Sequence, residues 1–173
     1  MHVNGLVVSS ATLSDAEELS SVQLKCWMET SVEKLHEINL DNFDEMYGTH
    51  DQVVKRWLER LRDYKSNDKE RLILLARIDG RIIGYTHVFQ DKISRNIIIK
   101  RFFILNEFQG KGIGYTMMEK IFKWSKSRRP IILRAAEANH DAQRFYEKFG
   151  FQLTSEIVSS ERMISVRMAL RDK

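Results

Sequence analysis

One glycine-rich stretch, Gln109-Gly110-Lys111-Gly112-Ile113-Gly114, constrains the fold more than any other part of the sequence. Residues 96–105 before it are apolar and β-branched, which predicts a buried strand. Residues 113–126 after it repeat apolar side chains at helical spacing, on a stripe formed by Ile113, Met117, Ile121 and Trp124. The stretch is therefore a turn between a strand and a helix, the connection typical of folds that cover a sheet with helices.

A glycine turn that opens a helix offers free backbone N–H groups and the positive end of the helix dipole, so it suits phosphate oxygens. The glycines run G-x-G-x-G rather than G-x-G-x-x-G, and the Gly-Lys-Ser/Thr ending of a P-loop is missing. From the stretch alone, a phosphate site and a plain strand-to-helix turn both remain open.

Composition narrows the class of protein. The 173 residues predict one domain over residues 1–173, and the single cysteine, Cys26, predicts a reducing compartment. No apolar run reaches the roughly 18 residues of a membrane span, so we expect a cytoplasmic protein with no membrane partner. The 28 Lys and Arg against 24 Asp and Glu give a net charge of +4, too mild an excess to predict a nucleic-acid partner.

The first part of the chain is mainly helical in pattern. Residues 6–10 predict a strand, and Ser14 with Glu17 has the form of a capping box that opens a helix to about Met28. Residues 29–48 suggest a short helix or an ordered loop. Thr49 with Gln52 is a second capping box, and its helix should run to about Leu61. That helix would bury Val53, Val54, Trp57 and Leu58 and would point outward Lys55, Arg56, Glu59 and Arg60.

The pattern then changes to strands. Residues 71–78 and 81–90 around Asp79-Gly80 predict a hairpin, and residues 96–105 predict the third strand of a meander. Pro130 should end the helix after the glycine stretch, before a strand over residues 131–136. A helix over residues 139–149, stopped by Gly150, and strands over residues 151–158 and 162–170 complete the chain. The order predicts an α+β domain with about seven strands and about four helices.

A second motif, Asn139-x-x-Ala142-x-x-Phe145-Tyr146-x-x-x-Gly150-Phe151, follows the glycine stretch after about 30 residues. The two motifs in this order resemble those of the GNAT superfamily of acyl-CoA-dependent N-acetyltransferases, and the order of elements over nearly the whole chain is similar too. The resemblance implies a GNAT-like fold, whose central mixed sheet has a splay between the fourth and fifth strands.

The resemblance also implies acetyl-CoA as the acyl donor, with no metal. The strand end before the glycine stretch would bind the pantetheine arm, and the stretch itself would bind the pyrophosphate. The implied cofactor-binding residues are Phe103, Ile104, Leu105, Gln109, Gly110, Lys111, Gly112, Ile113, Gly114, Tyr115, Asn139, Ala142 and Tyr146.

The implied catalytic residue is Tyr146, which matches the family's general acid for the departing thiolate. A helix tyrosine that merely packs on the sheet is the alternative, and Asn139 could equally be the N-cap of its helix. The family's usual base is a strand glutamate, but its position here is Ile98. His87, Glu29 and Glu33 are the candidates that remain for a general base.

The acceptor is the open question. Residues 35–54 contain no Lys or Arg but carry Glu37, Asp41, Asp44, Glu45 and Asp51, which would attract a cationic amine or would simply form a solvated face. The favoured function is transfer of an acetyl group to a primary amine of a small molecule. The alternatives are a protein or peptide N-acetyltransferase and a non-catalytic CoA-binding module. The resemblance also implies a possible homodimer.

Overall fold

The computed structural model describes residues 3–34, 43–66, 69–126, 128, 130–159 and 164–171. Within these ranges seven strands form one sheet: β1 (Leu6–Ser10), β2 (Arg71–Ile78), β3 (Arg81–Gln90), β4 (Ile97–Ile104), β5 (Ile131–Ala136), β6 (Gln152–Ser159) and β7 (Ile164–Leu170). The described α-helices are α1 (Ala16–Trp27), α2 (Phe43–Tyr47), α3 (His50–Ser66), α4 (Ile113–Ser125) and α5 (His140–Glu147). A π-helical segment, Met28–Lys34, continues α1.

The strand order is β1-β2-β3-β4-β5-β7-β6, and the one parallel pair among the described strands is β4 with β5. The predicted α+β class and the mixed seven-stranded sheet are confirmed. So is the β2–β3 hairpin, in which Asp79 (φ 50°) and Gly80 (φ 82°) both have the positive φ that a two-residue type I′ turn requires.

The predicted splay lies between β4 and β5. These strands pair only from Ile97 opposite Ile131 to Ile99 opposite Leu133, although β4 continues to Ile104. Lys100 is an extra residue in β4, because His87 faces Arg101 while the next residue of β3 faces Ile99. A bulge bends its strand and disrupts the ladder, so pairing with β5 ends where β4 bulges.

Helices cover both faces of the sheet, because alternate strand residues point to opposite sides. On one face α4 and α5 bury Met117, Met118, Ile121 and Tyr146 in one cluster with the even-numbered residues of β2. On the other face α1 and α3 bury Leu19, Cys26, Trp57 and Leu61 against Ile73 and Leu75. The functional groups on the two faces are therefore separated by the sheet, except where β4 and β5 part.

Two predicted helix boundaries are wrong. The capping residue before α1 is Thr12, whose N–H donates to Asp15 Oδ2 at 2.7 Å, rather than Ser14 with Glu17. A 3₁₀ turn, Leu13–Asp15, precedes the α-helix and shifts the cap by two residues. Pro130 does not end α4, which stops at Ser125 because Lys126 adopts a positive φ of 52°. The second capping box is supported, since the Thr49 N–H donates to Gln52 Oε1 at 3.0 Å.

Two of the four side chains predicted to point outward from α3 do not. Arg56 donates through Nη2 to the Tyr47 carbonyl, and the Arg60 guanidinium lies over the Trp57 ring. Both side chains are half-buried, whereas Lys55 and Glu59 are exposed as predicted. Long arginine stems cover apolar surface readily, and periodicity alone does not reveal this.

Within the described ranges, no helix has both the length and the apolar character needed to cross a membrane. The predicted short helix or loop over residues 29–48 corresponds in part to Met28–Lys34 and α2. Glu37 and Asp41, the first two acidic residues of the stretch proposed to attract an amine, lie outside the described residues.

Candidate active site

A cavity of about 510 Å³ lies where β4 leaves β5, between the N-terminus of α4 and the helix α5. Its volume falls in the range typical of small-molecule sites, about 300–1,000 Å³. The wall is built from four segments that are distant in sequence: Thr30; Phe102, Phe103, Ile104 and Asn106; Gln109, Gly110, Lys111, Gly112, Gly114 and Tyr115; and Asn139, Asp141, Ala142, Phe145, Tyr146 and Lys148.

The structure brings both sequence motifs to this cavity. Of the residues predicted to bind the cofactor, all but Leu105 and Ile113 line it. Leu105 is 6% exposed in the core under α1 and α3, and Ile113 is 1% exposed in the core under α4. Six lining residues were not predicted; of these, Phe145 had a signal as a defined position of the second motif, and Asn106 directly follows the predicted Leu105. The six are Thr30, Phe102, Asn106, Asp141, Phe145 and Lys148.

The glycine loop owes its shape to two left-handed residues, Gly110 (φ 73°) and Gly112 (φ 83°). Gly112 is the N-cap of α4, so the first N–H groups of a 13-residue helix face the cavity end of the loop. The Gln109 side chain fastens the loop to the end of β4 by donating to the Ile104 carbonyl at 2.8 Å and to Asn106 Oδ1 at 3.0 Å. A loop of this shape, at the N-terminus of a helix, can accept an anion such as a phosphate group.

Gly114 lets α4 and α5 approach closely. A Cβ at this position would lie 2.9 Å from Phe145 Cζ and 3.0 Å from Cε2. The Phe145 ring lines the cavity and is surrounded by the rings of Phe102, Tyr115, Tyr146 and Phe149, with centroids 5.1–6.1 Å away. The third glycine of the motif therefore serves helix packing as well as the loop.

Two polar side chains hold α5 at the end of β5. Asn139 Oδ1 accepts from the Ala142 N–H at 3.2 Å, the N-cap role that the sequence left open. Gln143, which is buried, donates to the carbonyls of Ala136 (3.1 Å) and Glu137 (2.7 Å). These bonds fix the position of Tyr146 on the next turn of the helix.

Tyr146 lies at the inner wall of the cavity and is 7% exposed. Its ring packs against Phe102, Phe145 and Phe151 at centroid distances of 5.3–6.1 Å. Burial raises the pKa of its hydroxyl above the ordinary value of 10. The group is therefore a neutral O–H donor over the whole physiological pH range.

The three candidate bases have different surroundings. Glu29 Oε2 accepts from the Asn106 N–H at 2.9 Å, and Glu29 adjoins Thr30, so this carboxylate lies beside two lining residues. Glu33 is exposed. His87 is 6% exposed beside Trp57 on the face of α1 and α3, where burial, then Arg101 and Arg60, lowers its pKa to about 3. Such a weakly basic imidazole is poorly suited to take a proton from an ammonium group.

One stacked pair of rings connects the cavity with the α1 and α3 face. Phe103 lines the cavity and stacks on Tyr85 at 5.6 Å, and Arg101, on the same side of β4, lies over the Trp27 ring at 5.7 Å. Neither Tyr85 nor Arg101 carries a local sequence signal, because both belong to strands with an ordinary sheet pattern. Among the described residues, no cluster of three His, Cys, Asp or Glu could hold a metal ion.

A mixed sheet that splays beside a glycine-rich helix N-terminus, with a buried tyrosine at the cavity, is the architecture of GNAT acetyltransferases. The acetyltransferase (GNAT) family model matches residues 32–151, and the chain belongs to this family.

Relatives and solved structures agree with this assignment. An uncharacterized N-acetyltransferase of Mycobacterium tuberculosis is 33% identical over 90 residues, 50% of this chain and 56% of the relative. A spermine/spermidine N(1)-acetyltransferase of Bacillus subtilis is 32% identical over 99 residues, 51% of this chain and 64% of that protein. The chain thus spans little more than half the length of these relatives. The PaiA N-acetyltransferase of Thermoplasma acidophilum, solved in complex with coenzyme A, shares the fold with a TM-score of 0.74. The two sequences are 21% identical, and the match covers 94% of this chain and 97% of that chain.

Proposed function

We propose that this protein transfers an acetyl group from acetyl-CoA to the primary amine of a small molecule, and that residues 1–173 form one catalytic domain. The observation that carries the proposal is the single cavity at which the strand splay, the glycine loop and Tyr146 meet. The family and the coenzyme A complex of the T. acidophilum structure support acetyl-CoA as the donor.

The pyrophosphate would lie on the glycine loop, where Gly110, Gly112 and Gly114 leave backbone N–H groups accessible at the positive end of α4. Lys111 adds a positive charge beside the loop, with its ammonium 5.3 Å from the Phe108 ring centre. The pantetheine arm would run along β4 at Phe103 and Ile104, beyond the point where β5 has left. Asn139 and Ala142 would border the arm from α5.

Tyr146 would act at the sulfur. Bound acetyl-CoA supplies a thioester, whose carbonyl carbon forms a C–N bond with the neutral acceptor amine as the C–S bond breaks. The Tyr146 hydroxyl donates its proton to the leaving sulfur, so that a thiol departs rather than a thiolate. The protonated side chain is maintained by burial, since its raised pKa keeps it neutral at pH 7.

The proton that the amine loses needs an acceptor. Glu29 is the candidate carboxylate that adjoins the lining residues Thr30 and Asn106. We therefore assign to Glu29 the role of general base, with solvent water carrying the proton from the amine. Its second oxygen, Oε1, lies 3.9 Å from Lys25 Nζ, and a water molecule between the carboxylate and the amine would relay the proton.

A small amine as acceptor is supported by the B. subtilis relative, whose name specifies spermine and spermidine. The acidic stretch offers less support, because Asp44, Glu45 and Asp51 are all exposed in the structure. Exposed carboxylates in water attract a cation only weakly at physiological salt.

The test is release of the CoA thiol over a panel of amines, comparing wild type with Tyr146→Phe. We expect the variant to lower kcat by about 10²-fold or more, as for loss of a general acid, with the acetyl-CoA Kd within about twofold of wild type. Tyr64→Phe is the matched control, since Tyr64 is half-buried on α3 and packs on the opposite face.

The pH dependence provides a second readout. Because burial raises the Tyr146 pKa, kcat should not decline from deprotonation of this group between pH 7 and about 10. Full turnover by Tyr146→Phe at saturating substrate would refute the acid role. Acetyl-CoA binding without thiol release for any amine or peptide would favour a non-catalytic CoA-binding module.

A further inference from the structure

We propose that the acceptor carries an anionic group, a carboxylate or a phosphate, which Arg101 and Arg60 bind on the α1 and α3 face of β4. This inference rests on the proposed function, since it names the substrate class of the same site. The two arginines with Tyr85 and His87 are called the arginine cluster below.

The position of the cluster follows from the alternation along β4. Phe102 packs on Phe145 and Tyr146 toward α5, so its neighbours Arg101 and Phe103 point to the other face. Phe103 lines the cavity and stacks on Tyr85, and Arg101 stands opposite His87 in the β3–β4 ladder. On this face of β4, Arg101 is therefore the side chain next to Phe103, which lines the cavity.

Aromatic rings join the two arginines. The Arg101 Cζ atom lies 5.7 Å from the Trp27 ring centre, and the Arg60 Cζ atom lies 5.3 Å from that of Trp57. The Trp57 ring is 5.7 Å from Tyr85 and 6.4 Å from His87. Rings on which guanidinium groups lie restrict their movement, so the two cations are held in place before any ligand arrives.

Four polar atoms of the cluster are buried without hydrogen-bond partners. Over the ranges that the structure describes, neither the Arg60 nor the Arg101 side chain makes a hydrogen bond or an ion pair. Arg60 Nη1, Tyr85 Oη and both ring nitrogens of His87 are buried without a hydrogen-bond partner. The Trp27 indole influences the pKa of Tyr85, but the pair falls short of hydrogen-bond geometry. Tyr85 is 0% exposed and His87 is 6% exposed.

Within the part of the chain that the structure describes, no carboxylate forms an ion pair with Arg60 or Arg101, although the charge of Glu59 acts to raise the pKa of Arg60. Glu29 is engaged with the Asn106 N–H and Lys25, and Glu59 is exposed on the outer side of α3. The charges still act on each other: burial, followed by Arg101 and Arg56, lowers the pKa of Arg60 to about 10. Buried donors without partners destabilise a fold, and a ligand that accepts from them would remove that cost.

The chemistry of the ligand follows from these groups. Two guanidinium forks and a Tyr O–H are donors that match the oxygens of a carboxylate or phosphate, and neutral His87 can donate from one nitrogen. A polyamine would instead bring further cations toward Arg60 and Arg101, which repel it. The cluster therefore favours an amine with an anionic group over spermidine, in contrast to the named substrates of the B. subtilis relative.

The test compares acceptors that differ only in the anionic group. L-lysine is paired with cadaverine, L-phenylalanine with 2-phenylethylamine, and O-phosphoethanolamine with ethanolamine; spermidine is added as the polycation. At saturating acetyl-CoA, we expect kcat/KM for the anionic member of at least one pair to be higher by about 10²-fold or more, since two charged hydrogen-bonded contacts are lost without it. The pairs also separate carboxylate from phosphate.

Arg101→Gln should then raise KM for the preferred acceptor by about 10-fold or more, with kcat for its uncharged partner and the acetyl-CoA Kd within about threefold of wild type. Arg60→Gln serves the same purpose if Arg101→Gln does not fold. Arg62→Gln is the matched control, because Arg62 is exposed two residues further along α3 and should leave both constants unchanged.

The outcomes separate the two proposals. Thiol release that is as fast with spermidine or cadaverine as with every anionic amine would overturn the inference and leave the proposed function intact. If none of the amines causes thiol release, the proposed function is refuted. In that case, isothermal titration of the anionic amines tests the inference. Binding heat that is present in wild type and lost in Arg101→Gln supports an anion site at the arginine cluster. No binding heat with wild type overturns the inference.

Discussion

Substitution of Gly114 by alanine tests how the glycine motif is coupled to the cavity. The new Cβ would lie 2.9 Å from Phe145 Cζ, so the ring must retreat by about 0.6 Å to reach an ordinary contact of about 3.5 Å. Tyr115, Tyr146 and Phe149 pack around this ring. The open direction left for the ring is the cavity that it lines.

The cost in stability is modest because two effects oppose each other. Overpacking by one methyl group costs about 1–3 kcal/mol, while alanine is about 1 kcal/mol better than glycine inside a helix. The expected net loss is about 1 kcal/mol, equivalent to a fall in Tm of about 2–4 °C for a chain of this length. Binding should suffer more, with the acetyl-CoA Kd raised about 10-fold, equivalent to about 1.4 kcal/mol.

The assay is isothermal titration of acetyl-CoA together with thermal unfolding, for Gly114→Ala, Gly110→Ala and the double variant Gly114→Ala/Phe145→Leu. A Cβ at Gly110 meets nothing within 4 Å, but the φ of 73° is strained for alanine, so this control should lose stability. Replacing the ring by leucine should recover most of the lost affinity, as expected for two residues in contact.

Wild-type affinity in Gly114→Ala, despite correct folding, would refute the coupling. So would a double variant that binds no better than Gly114→Ala, because the contact with Phe145 would then not be the cause.

Two further predictions concern single polar groups. Asn139→Asp should keep the Tm, because its carboxylate still accepts from the Ala142 N–H, whereas Asn139→Ala should lose about 1 kcal/mol of unfolding free energy. Both variants should weaken acetyl-CoA binding, because neither retains an amide that can donate to the cofactor. Unchanged binding in both variants would contradict that role of Asn139. Lowering the pH from 7.5 to 5 should cost up to about 2 kcal/mol through His87, whose pKa is lowered by burial and Arg101 from 6.5 to about 3 in the folded protein. The unfolded chain then binds the proton more readily, so stability falls as the pH drops below 6.5. His87→Asn should show a smaller shift of the urea midpoint between the two pH values, and an equal shift would rule out this residue as the cause.

The sequence predicted most of the fold, because local rules govern most of its elements. The Asp79-Gly80 turn requires positive φ at both residues, and few sequences other than such pairs allow it. The strand over residues 131–136 and the α4 start at Ile113 were predicted to the residue. The predicted cap of the first helix was wrong, because Thr12 and Ser14 are both acceptable N-caps and Ser14 is instead part of the 3₁₀ turn Leu13–Asp15 that Thr12 opens.

The candidate site was predicted only where it is built from contiguous motifs. Residues 109–112, Gly114 and Tyr115 line one cavity with Asn139, Ala142 and Tyr146, as the two motifs indicated. Thr30 and Phe102 also line it, but they belong to a π-helical segment and a strand that carry no local signal. Leu105 and Ile113 were predicted to bind the cofactor because their sequence neighbours belong to the site. The periodicity of the strand and of the helix instead directs both side chains into the core.

By itself, the sequence determined the glycine loop, the strand order of the meander and the tyrosine on α5, because turn dihedral angles, periodicity and helix caps are encoded by neighbouring residues. Only the tertiary structure decided that Arg60, an expected surface residue, acts on His87 together with Arg101 and has a buried donor with no hydrogen-bond partner. These residues come from α3, β4 and β3, so their shared environment is a product of packing between distant segments. The donor site can thus be recognised from local sequence, while the acceptor side of the protein is visible only after the chain has folded.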